Sequence, residues 1–251
     1  MAQLDPWYER FFDGLYGQVL PATFTEVQTR KQLAIVRRLL RLRKGQCVLD
    51  IPCGMGRLTI PLARGGLKMT GVELSPSYVR RARRAARGLG PAIRFVKADM
   101  RCIDFDGEFD AAFNWFGSFG YFSDADNLLF AGRVLAALRP GGRFLVEGLN
   151  KSWLRTHFVP SREEVVGDVR IKHRGRWNKS QTRMLDTWTF SKGTATERHT
   201  ASIRMFDGGE LRALLRAAGF REIELLGYPP VTRLTRHSRR LIALAARPSS
   251  T

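Results

Sequence analysis

The segment CVLDIPCGMGRLTIPLARGGLKMTGVE, residues 47–73, decides the fold of this chain. Its apolar start at 47–49 predicts a buried parallel strand, followed by a turn that contains Gly54 and Gly56. A helix is expected from about 57 to 63, and a second short strand ends on Glu73. The segment therefore predicts one β-turn-α-β unit with a carboxylate at the end of each strand, Asp50 and Glu73.

These residue types suit a nucleoside ligand that carries a second polar group. Gly54 and Gly56 lack a Cβ, so the backbone can approach a ligand closely and adopt positive φ. The N-terminus of the following helix offers free N–H groups to a carboxylate or a phosphate. Glu73 can accept two hydrogen bonds from a ribose diol.

A dinucleotide fits this segment less well than an amino-acid nucleoside. The dinucleotide fingerprint G-x-G-x-x-G requires a third glycine where this chain has Thr59. Asp50 would repel a pyrophosphate, but it could accept a hydrogen bond from an ammonium group. S-adenosylmethionine combines an ammonium group with a ribose, so it is the expected cofactor.

Four motifs resemble those of the class I S-adenosylmethionine-dependent methyltransferases, and more narrowly a bacterial group of small-molecule type. They are V-L-D-x-x-C-G-x-G-R, G-V-E-L-S about twenty residues later, 98–101 and 114–122. The resemblance covers about residues 25–150 strongly, although Pro52 stands where the family usually has the first glycine of its loop. It implies an α/β fold, a doubly wound, mostly parallel seven-stranded sheet, and S-adenosylhomocysteine as the product.

The resemblance also implies the residues that bind the cofactor. Asp99 ends the third strand and would accept a hydrogen bond from the adenine amino group, unless it merely ends that strand. The full expected set is Tyr16, Thr29, Asp50, Pro52, Gly54, Gly56, Glu73, Leu74, Asp99, Met100, Asn114 and Trp115.

Two further segments are expected to enclose an acceptor. Residues 1–25 are aromatic and keep an i, i+4 rhythm, so they predict a lid segment or a plain packing helix. Residues 157–206 alternate like strands and predict an antiparallel meander, inserted into a single domain of residues 1–251, that would form a substrate roof. His157 is the first candidate for a general base. The candidate acceptor contacts are Trp7, Phe11, Phe119, Tyr121 and Asn150.

The net charge of +19 raises the question of a nucleic-acid partner. A compositional bias of the source would give the same total, and no proline follows Asn114, as it does in the N/D-P-P-Y/F motif of enzymes that methylate nucleic-acid bases. The favoured hypothesis is therefore methyl transfer to N or O of a small molecule. The alternatives are an RNA methyltransferase and a non-catalytic relative that only binds the cofactor or a partner.

The remaining features restrict the class of protein. No apolar run of about 18 residues is present, so no membrane span is expected. Cys47, Cys53 and Cys102 form no C-x-x-C pair, which indicates buried small residues in a reducing cytoplasm and no metal site. A monomer or a homodimer is expected.

Overall fold

The computed structural model describes residues 6–249, which form two sheets. The larger sheet has the order β11-β10-β12-β5-β4-β1-β2-β3, and its five strands from β5 to β3 are parallel to one another. Its strands are β1 (Cys47–Asp50), β2 (Lys68–Glu73), β3 (Ile93–Lys97), β4 (Phe109–Asn114), β5 (Leu138–Leu149), β10 (Arg221–Tyr228), β11 (Thr232–Arg233) and β12 (Arg240–Ala246).

Helices cover both faces of this sheet. Alternate residues of β1 show the two-sided burial, because Val48 packs against one helical layer and Leu49 against the other. The first layer contains α2 (Glu26–Leu39), α3 (Thr59–Arg64) and α4 (Pro76–Ala85). The second contains α5 (Asp124–Ala137) and α7 (Gly208–Ala217). The expectation of a doubly wound α/β fold is confirmed.

The second sheet is antiparallel and lies between β5 and α7 in the chain. A short helix, α6 (Lys151–His157), leads into β6 (Ser161–Val166), β7 (Val169–Trp177), β8 (Arg183–Lys192) and β9 (Ala195–Arg204), which pair in that order. We call these four strands the roof sheet. The expected meander is therefore present.

The N-terminal segment packs under the roof sheet. It contains a 3-10 turn at Trp7–Glu9, then α1 (Gly14–Val19) and a second 3-10 turn at Leu20–Thr23. Asp13 accepts hydrogen bonds from Ser75 and Ser77 at the start of α4, and the Leu15 amide donates to Glu197 of β9. The segment is therefore tied to both the first helical layer and the roof sheet.

Several bounds differ from the sequence-based expectations. The larger sheet has eight strands because a two-residue strand, β11, extends its edge. Helix α6 was not expected, and α3 begins at Thr59 rather than at 57 because residues 51–58 form the turn. Cys102 is exposed, which corrects the expectation that all three cysteines are buried. Residues 1–5, part of the expected lid segment 1–25, and residues 250–251 lie outside the described range.

Candidate functional site

A cavity of about 1260 Å³ lies beyond the carboxyl ends of β1, β2, β4 and β5, under the roof sheet. This is the edge at which open α/β sheets bind ligands. The expected site residues that line it are Trp7, Phe11, Tyr16, Thr29, Asp50, Pro52, Gly54, Glu73, Leu74, Asp99, Met100, Trp115, Phe119, Tyr121 and His157.

Three expected residues do not line the cavity. Gly56 shapes the turn with a φ of 83°, and a Cβ there would lie 2.9 Å from Ile60 Cδ1. The fully buried Asn114 donates from Nδ2 to the Ile51 carbonyl at 2.8 Å, which joins β4 to the turn after β1. Asn150 caps α6 through the Ser152 amide and donates to the carbonyls of Thr235 and Ser238. These contacts support structural roles for all three residues.

Glu73 is held rigidly at the end of β2. Its two carboxylate oxygens accept the backbone N–H groups of Gly54 and Ser75, each at 2.9 Å. Burial raises the pKa of this carboxyl, whereas the backbone donors oppose the rise. Each oxygen retains a lone pair, so the carboxylate can still accept bonds from a diol. No atom lies within 4 Å of the Cβ position at Gly54, so a ligand has space there.

Asp50 and Arg57 form a second polar group on the cavity wall. Asp50 is 3% exposed and accepts a 2.6 Å hydrogen bond from the Thr59 hydroxyl. Burial raises the pKa of Asp50 to about 7, against the opposing effects of Thr59 and Arg57. Arg57 donates to Thr29 Oγ1 at 3.2 Å and lies 3.9 Å from the centre of the Phe24 ring. A carboxylate and a guanidinium side by side can pair with both charged ends of an amino acid.

Asp99 forms an ion pair with Arg101, two residues later in the chain. Arg101 donates to both oxygens of Asp99, with a shortest distance of 2.6 Å, and also to the Tyr8 hydroxyl at 2.9 Å. This hydrogen-bonded pair raises the pKa of Arg101. A carboxylate offers about four acceptor positions, so Asp99 can also accept a hydrogen bond from a ligand amino group.

The roof half of the cavity is aromatic. Tyr121 stacks with Phe12, and its ring centre lies 4.8 Å from that of Trp7. Burial raises the pKa of Tyr121 to about 12 and also raises that of Tyr16, so both phenols are neutral near pH 7. Trp188 and Phe190 of β8 complete this wall from above. Aromatic faces attract a cationic sulfonium or ammonium group.

Two histidines line the cavity in different environments. His157 is exposed at the end of α6 and stacks on Trp153 with 4.4 Å between ring centres. His173 of β7 is 9% exposed, and its Nε2 lies 3.1 Å from Asp186 Oδ1 of β8. Among the described residues, the buried Nδ1 of His173 has no hydrogen-bond partner. The pairing of β7 with β8 brings these two residues together, so nothing in the local sequence marks them as a pair.

The family of the central segment is decided by its match to a known domain. Residues 48–142 match the model of the methyltransferase domain family. Residues 48–142 form a methyltransferase domain. The recognition of this family, and of S-adenosylmethionine as its cofactor, is confirmed.

Relatives and solved structures extend the comparison of this methyltransferase domain. The 23S rRNA (uracil(1939)-C(5))-methyltransferase RlmD of Nitrosospira multiformis is 38% identical over 89 residues, 34% of this chain and 20% of that protein. The chain thus spans about a fifth of that relative's length. A Clostridium acetobutylicum S-adenosylmethionine-dependent methyltransferase superposes with a TM-score of 0.77 at 16% identity, covering 96% of this chain and 99% of that one.

A third similar protein contains both ligands of a methyl transfer. It is the 1,6-didemethyltoxoflavin-N1-methyltransferase of Burkholderia thailandensis, with bound 1,6-didemethyltoxoflavin and S-adenosylhomocysteine. Its TM-score is 0.61 at 23% identity, and the match covers 97% of this chain and 88% of that one. At these identities the structural likenesses establish the fold alone.

The described residues fit S-adenosylmethionine and offer no alternative metal site. Glu73, Asp50, Arg57 and Asp99 all line the cavity. If the cofactor binds there, Glu73 could accept from its ribose, Asp50 and Arg57 could pair with its ammonium and carboxylate groups, and Asp99 could accept from its adenine amino group. Within residues 6–249, no group of three or more His, Cys, Asp or Glu side chains could hold a metal ion. The same part of the chain has no helix both long and apolar enough to cross a membrane.

Single substitutions test this assignment of the cavity. We expect Glu73→Ala and Asp99→Ala each to weaken S-adenosylmethionine binding by ~1–3 kcal/mol, because each removes a hydrogen-bond partner of the cofactor. Isothermal titration calorimetry measures the change, and the exposed Glu163→Ala serves as a control on the roof sheet. Unchanged affinity in both variants would show that the cofactor binds elsewhere.

Proposed function

We propose that the protein transfers a methyl group from S-adenosylmethionine to a nitrogen or oxygen atom of a small-molecule acceptor. The observation that carries the proposal is the roofed aromatic cavity, which is continuous with the polar crevice at Gly54 and Glu73. Solved structures of this fold include an enzyme with a small heterocycle bound, which supports an acceptor of that size.

The chain's own residues would position the reactants and exclude water. S-adenosylmethionine, when bound, supplies an electrophilic methyl group on a sulfonium. Glu73, Asp50 and Arg57 would orient the cofactor, and the aromatic rings of Trp7, Phe11, Tyr121 and Trp188 would shelter the sulfonium region from solvent. Holding the acceptor atom in line with the methyl group can contribute ~7–11 kcal/mol to lowering the barrier.

An acceptor that arrives protonated also needs a general base. His157 is accessible but has no carboxylate partner within hydrogen-bond distance. His173 is the better candidate, because the Asp186 carboxylate lies 3.1 Å from Nε2 and would favour a proton there. Its buried Nδ1 has no hydrogen-bond partner among the described residues, so it could accept a proton once a side-chain rotation exposes it to the acceptor. During methyl transfer, His173 Nδ1 would accept the proton that the acceptor atom gives up.

Substitution of the two histidines distinguishes these assignments. We expect His173→Gln to lower kcat by about 10²-fold or more, as is typical for loss of a general base, with little change in cofactor affinity. His157→Gln should leave kcat within about threefold. The measurement is steady-state kinetics on the first acceptor identified. The reverse pattern would assign the base to His157, and no effect in either variant would mean that the acceptor binds already deprotonated.

A second candidate function is methylation of RNA. It is favoured by the relative named as a 23S rRNA methyltransferase and by the high positive charge. An RNA base would have to leave its stack to reach this cavity, because the roof sheet covers it.

An acceptor screen decides between the two functions. The purified protein is incubated with S-adenosylmethionine labelled in its methyl group and with three pools: small amines, phenols, and unmodified ribosomal RNA. Label in a small molecule supports the proposed function, whereas label only in RNA replaces it with the second candidate. Calorimetric binding without label transfer to any pool would favour a cofactor-binding protein without this activity.

A further inference from the structure

The positive charge of this protein is concentrated in one part of the chain. Residues 27–97 contain 17 of the 42 Lys and Arg residues but only two of the 23 Asp and Glu residues. This segment therefore carries +15 of the net +19. The other 180 residues contain 25 basic and 21 acidic side chains. A compositional bias acting along the whole chain would not produce such a division.

The fold places most of this charge on one layer of the molecule. Helices α2, α3 and α4 all lie within 27–97 except for the first residue of α2, and they cover the same face of the larger sheet. The only acids in the segment, Asp50 and Glu73, are buried in the cavity wall and cannot neutralise the surface. The opposite layer carries exposed acids such as Asp124 at the start of α5.

Most of these basic side chains are exposed and have no carboxylate partner. Fifteen of the 17 are exposed, and among the described residues only Arg30 and Arg94 contact an acid, Glu26 and Glu108 respectively. Arg94 contacts Phe105 and Glu108 on the opposite side of the sheet from Phe95, so it is left out. We call the other fourteen the basic face: Arg30, Lys31, Arg38, Arg41, Arg43, Lys44, Arg64, Lys68, Arg80, Arg81, Arg83, Arg84, Arg87 and Lys97.

Helix α4 and the residues after it show the arrangement most clearly. Arg80, Arg84 and Arg87 follow one another at i, i+4 and i+7, so like charges are neighbours along one side of the helix. Such pairs repel each other and destabilise the helix unless an anion lies between them. The apolar side of α4 is already buried against Ile60 and Phe95, so this helix has no apolar face left to insert into a membrane.

We propose that the basic face binds the phosphate backbone of a nucleic acid. Glu26 is the only acid on α2, α3 and α4, so the basic side chains of these helices match a chain of phosphates, and such contacts are independent of base sequence. Most of this surface lies on the helical layer, whereas the cavity lies beyond the strand ends, and Arg81 is the one described residue of the basic face that also lines the cavity. The nucleic acid bound there need not be the methyl acceptor, so the inference does not depend on the proposed function.

The test uses fluorescence anisotropy with a labelled 20-nucleotide oligouridine, at salt concentrations from 50 to 200 mM and without cofactor. Non-specific binding at physiological salt should have a Kd of roughly 1–100 µM, and the logarithm of affinity should fall linearly with the logarithm of salt concentration. The variant R80Q/R84Q/R87Q removes three contacts. Since each contact on a single strand contributes about 0.7 to the slope, its slope should be smaller by about 2.

A matched control removes the same charge from elsewhere. The variant R133Q/R216Q/R221Q also loses three arginines, all exposed and all outside the basic face, and its slope should stay unchanged. Circular dichroism melting of both variants shows whether each remains folded. If both variants lost the same affinity, the loss would depend on net charge and not on the position of the arginines, and the proposal would be overturned.

Two further ligands separate the alternatives. A duplex DNA of 20 base pairs shows whether the phosphate backbone alone suffices or whether RNA is preferred, and binding to either supports the proposal. Vesicles containing phosphatidylserine test an anionic membrane instead. Tight binding to vesicles with none to either nucleic acid would replace the proposed partner, and no binding to any of them at 50 mM salt would overturn the proposal.

Discussion

Replacing Arg240 by methionine is expected to lower the free energy of unfolding by about 3–5 kcal/mol, because it leaves a buried carboxylate without its counter-charge. Glu147 is 1% exposed, and Arg240 donates from both Nε and Nη2 to its oxygens. After the substitution, the Phe116 amide at 2.9 Å would be the one hydrogen-bond donor left to this carboxylate among residues 6–249, with the charge of Arg57 nearby but not hydrogen-bonded to it. Urea unfolding followed by tryptophan fluorescence measures the change.

The double variant E147Q/R240M is the control for this prediction. It removes the buried charge together with its partner, so most of the lost stability should return. The Phe116 amide can still donate to the glutamine oxygen, which keeps the start of the aromatic loop 115–122 in place. A loss below about 1 kcal/mol in Arg240→Met alone would show that water or the Arg57 charge already compensates the buried carboxylate of Glu147 in the folded protein.

Asp50→Asn is expected to stabilise the cofactor-free protein while weakening its affinity for S-adenosylmethionine. The folded state raises the pKa of Asp50 from 3.8 to about 7 because the carboxyl is buried. Between about pH 4 and pH 7 the unfolded chain therefore loses this proton while the folded chain keeps it, and stability falls as pH rises. Asparagine removes this loss, which amounts to ~4 kcal/mol above pH 7 at 1.36 kcal/mol per pKa unit.

The hydrogen bond from Thr59 survives this change, because the asparagine oxygen can still accept it. Thermal melting at pH 5 and pH 8 measures the stability difference, which should be larger at pH 8. Stability that is equal in both proteins at pH 8 would mean that water or a cation already compensates the ionised carboxyl.

Cofactor binding should respond to Asp50 in the opposite direction. An ammonium group favours the ionised carboxyl, so affinity in the original protein should fall as pH drops below about 7. The asparagine variant should bind at least tenfold more weakly at pH 8 and lose this pH dependence. Calorimetry at pH 6 and pH 8 compares the two proteins, and a variant that keeps the original pH profile would assign the dependence to another group.

How much of the site could be predicted depends on how far apart its parts lie in the chain. Gly54 and Glu73, which the sequence predicts to bind the cofactor, lie together on the cavity wall, since one local β-turn-α-β unit joins them. Arg57 directly follows Gly56 and lines the same cavity, so the local unit could also have indicated it as a candidate partner for a carboxylate. The pair of His173 and Asp186 could not, because only the register between β7 and β8 creates it.

The position of a residue at the end of a strand did not by itself predict whether its side chain faces the cavity. Asn114 and Asn150 both stand where a ligand contact was reasonable, yet each amide is used to join backbone segments. The orientation of such a side chain depends on which carbonyls the fold leaves open, and sequence spacing carries no information about that. The uneven distribution of charge is different, because the numbers of basic and acidic residues can be read from the sequence. Their location on one layer depends on how α2, α3 and α4 pack.

The separation of the roof sheet from the larger sheet has an evolutionary consequence. The two sheets share no strand pairing, so substitutions on the inner face of β7 and β8 can change which molecules fit below without breaking the hydrogen bonds that position Gly54 and Glu73. New acceptor preferences can thus arise by drift in one module while inherited cofactor recognition persists in the other. Exchange of residues 161–204 between proteins of this fold is therefore a practical route to altered selectivity.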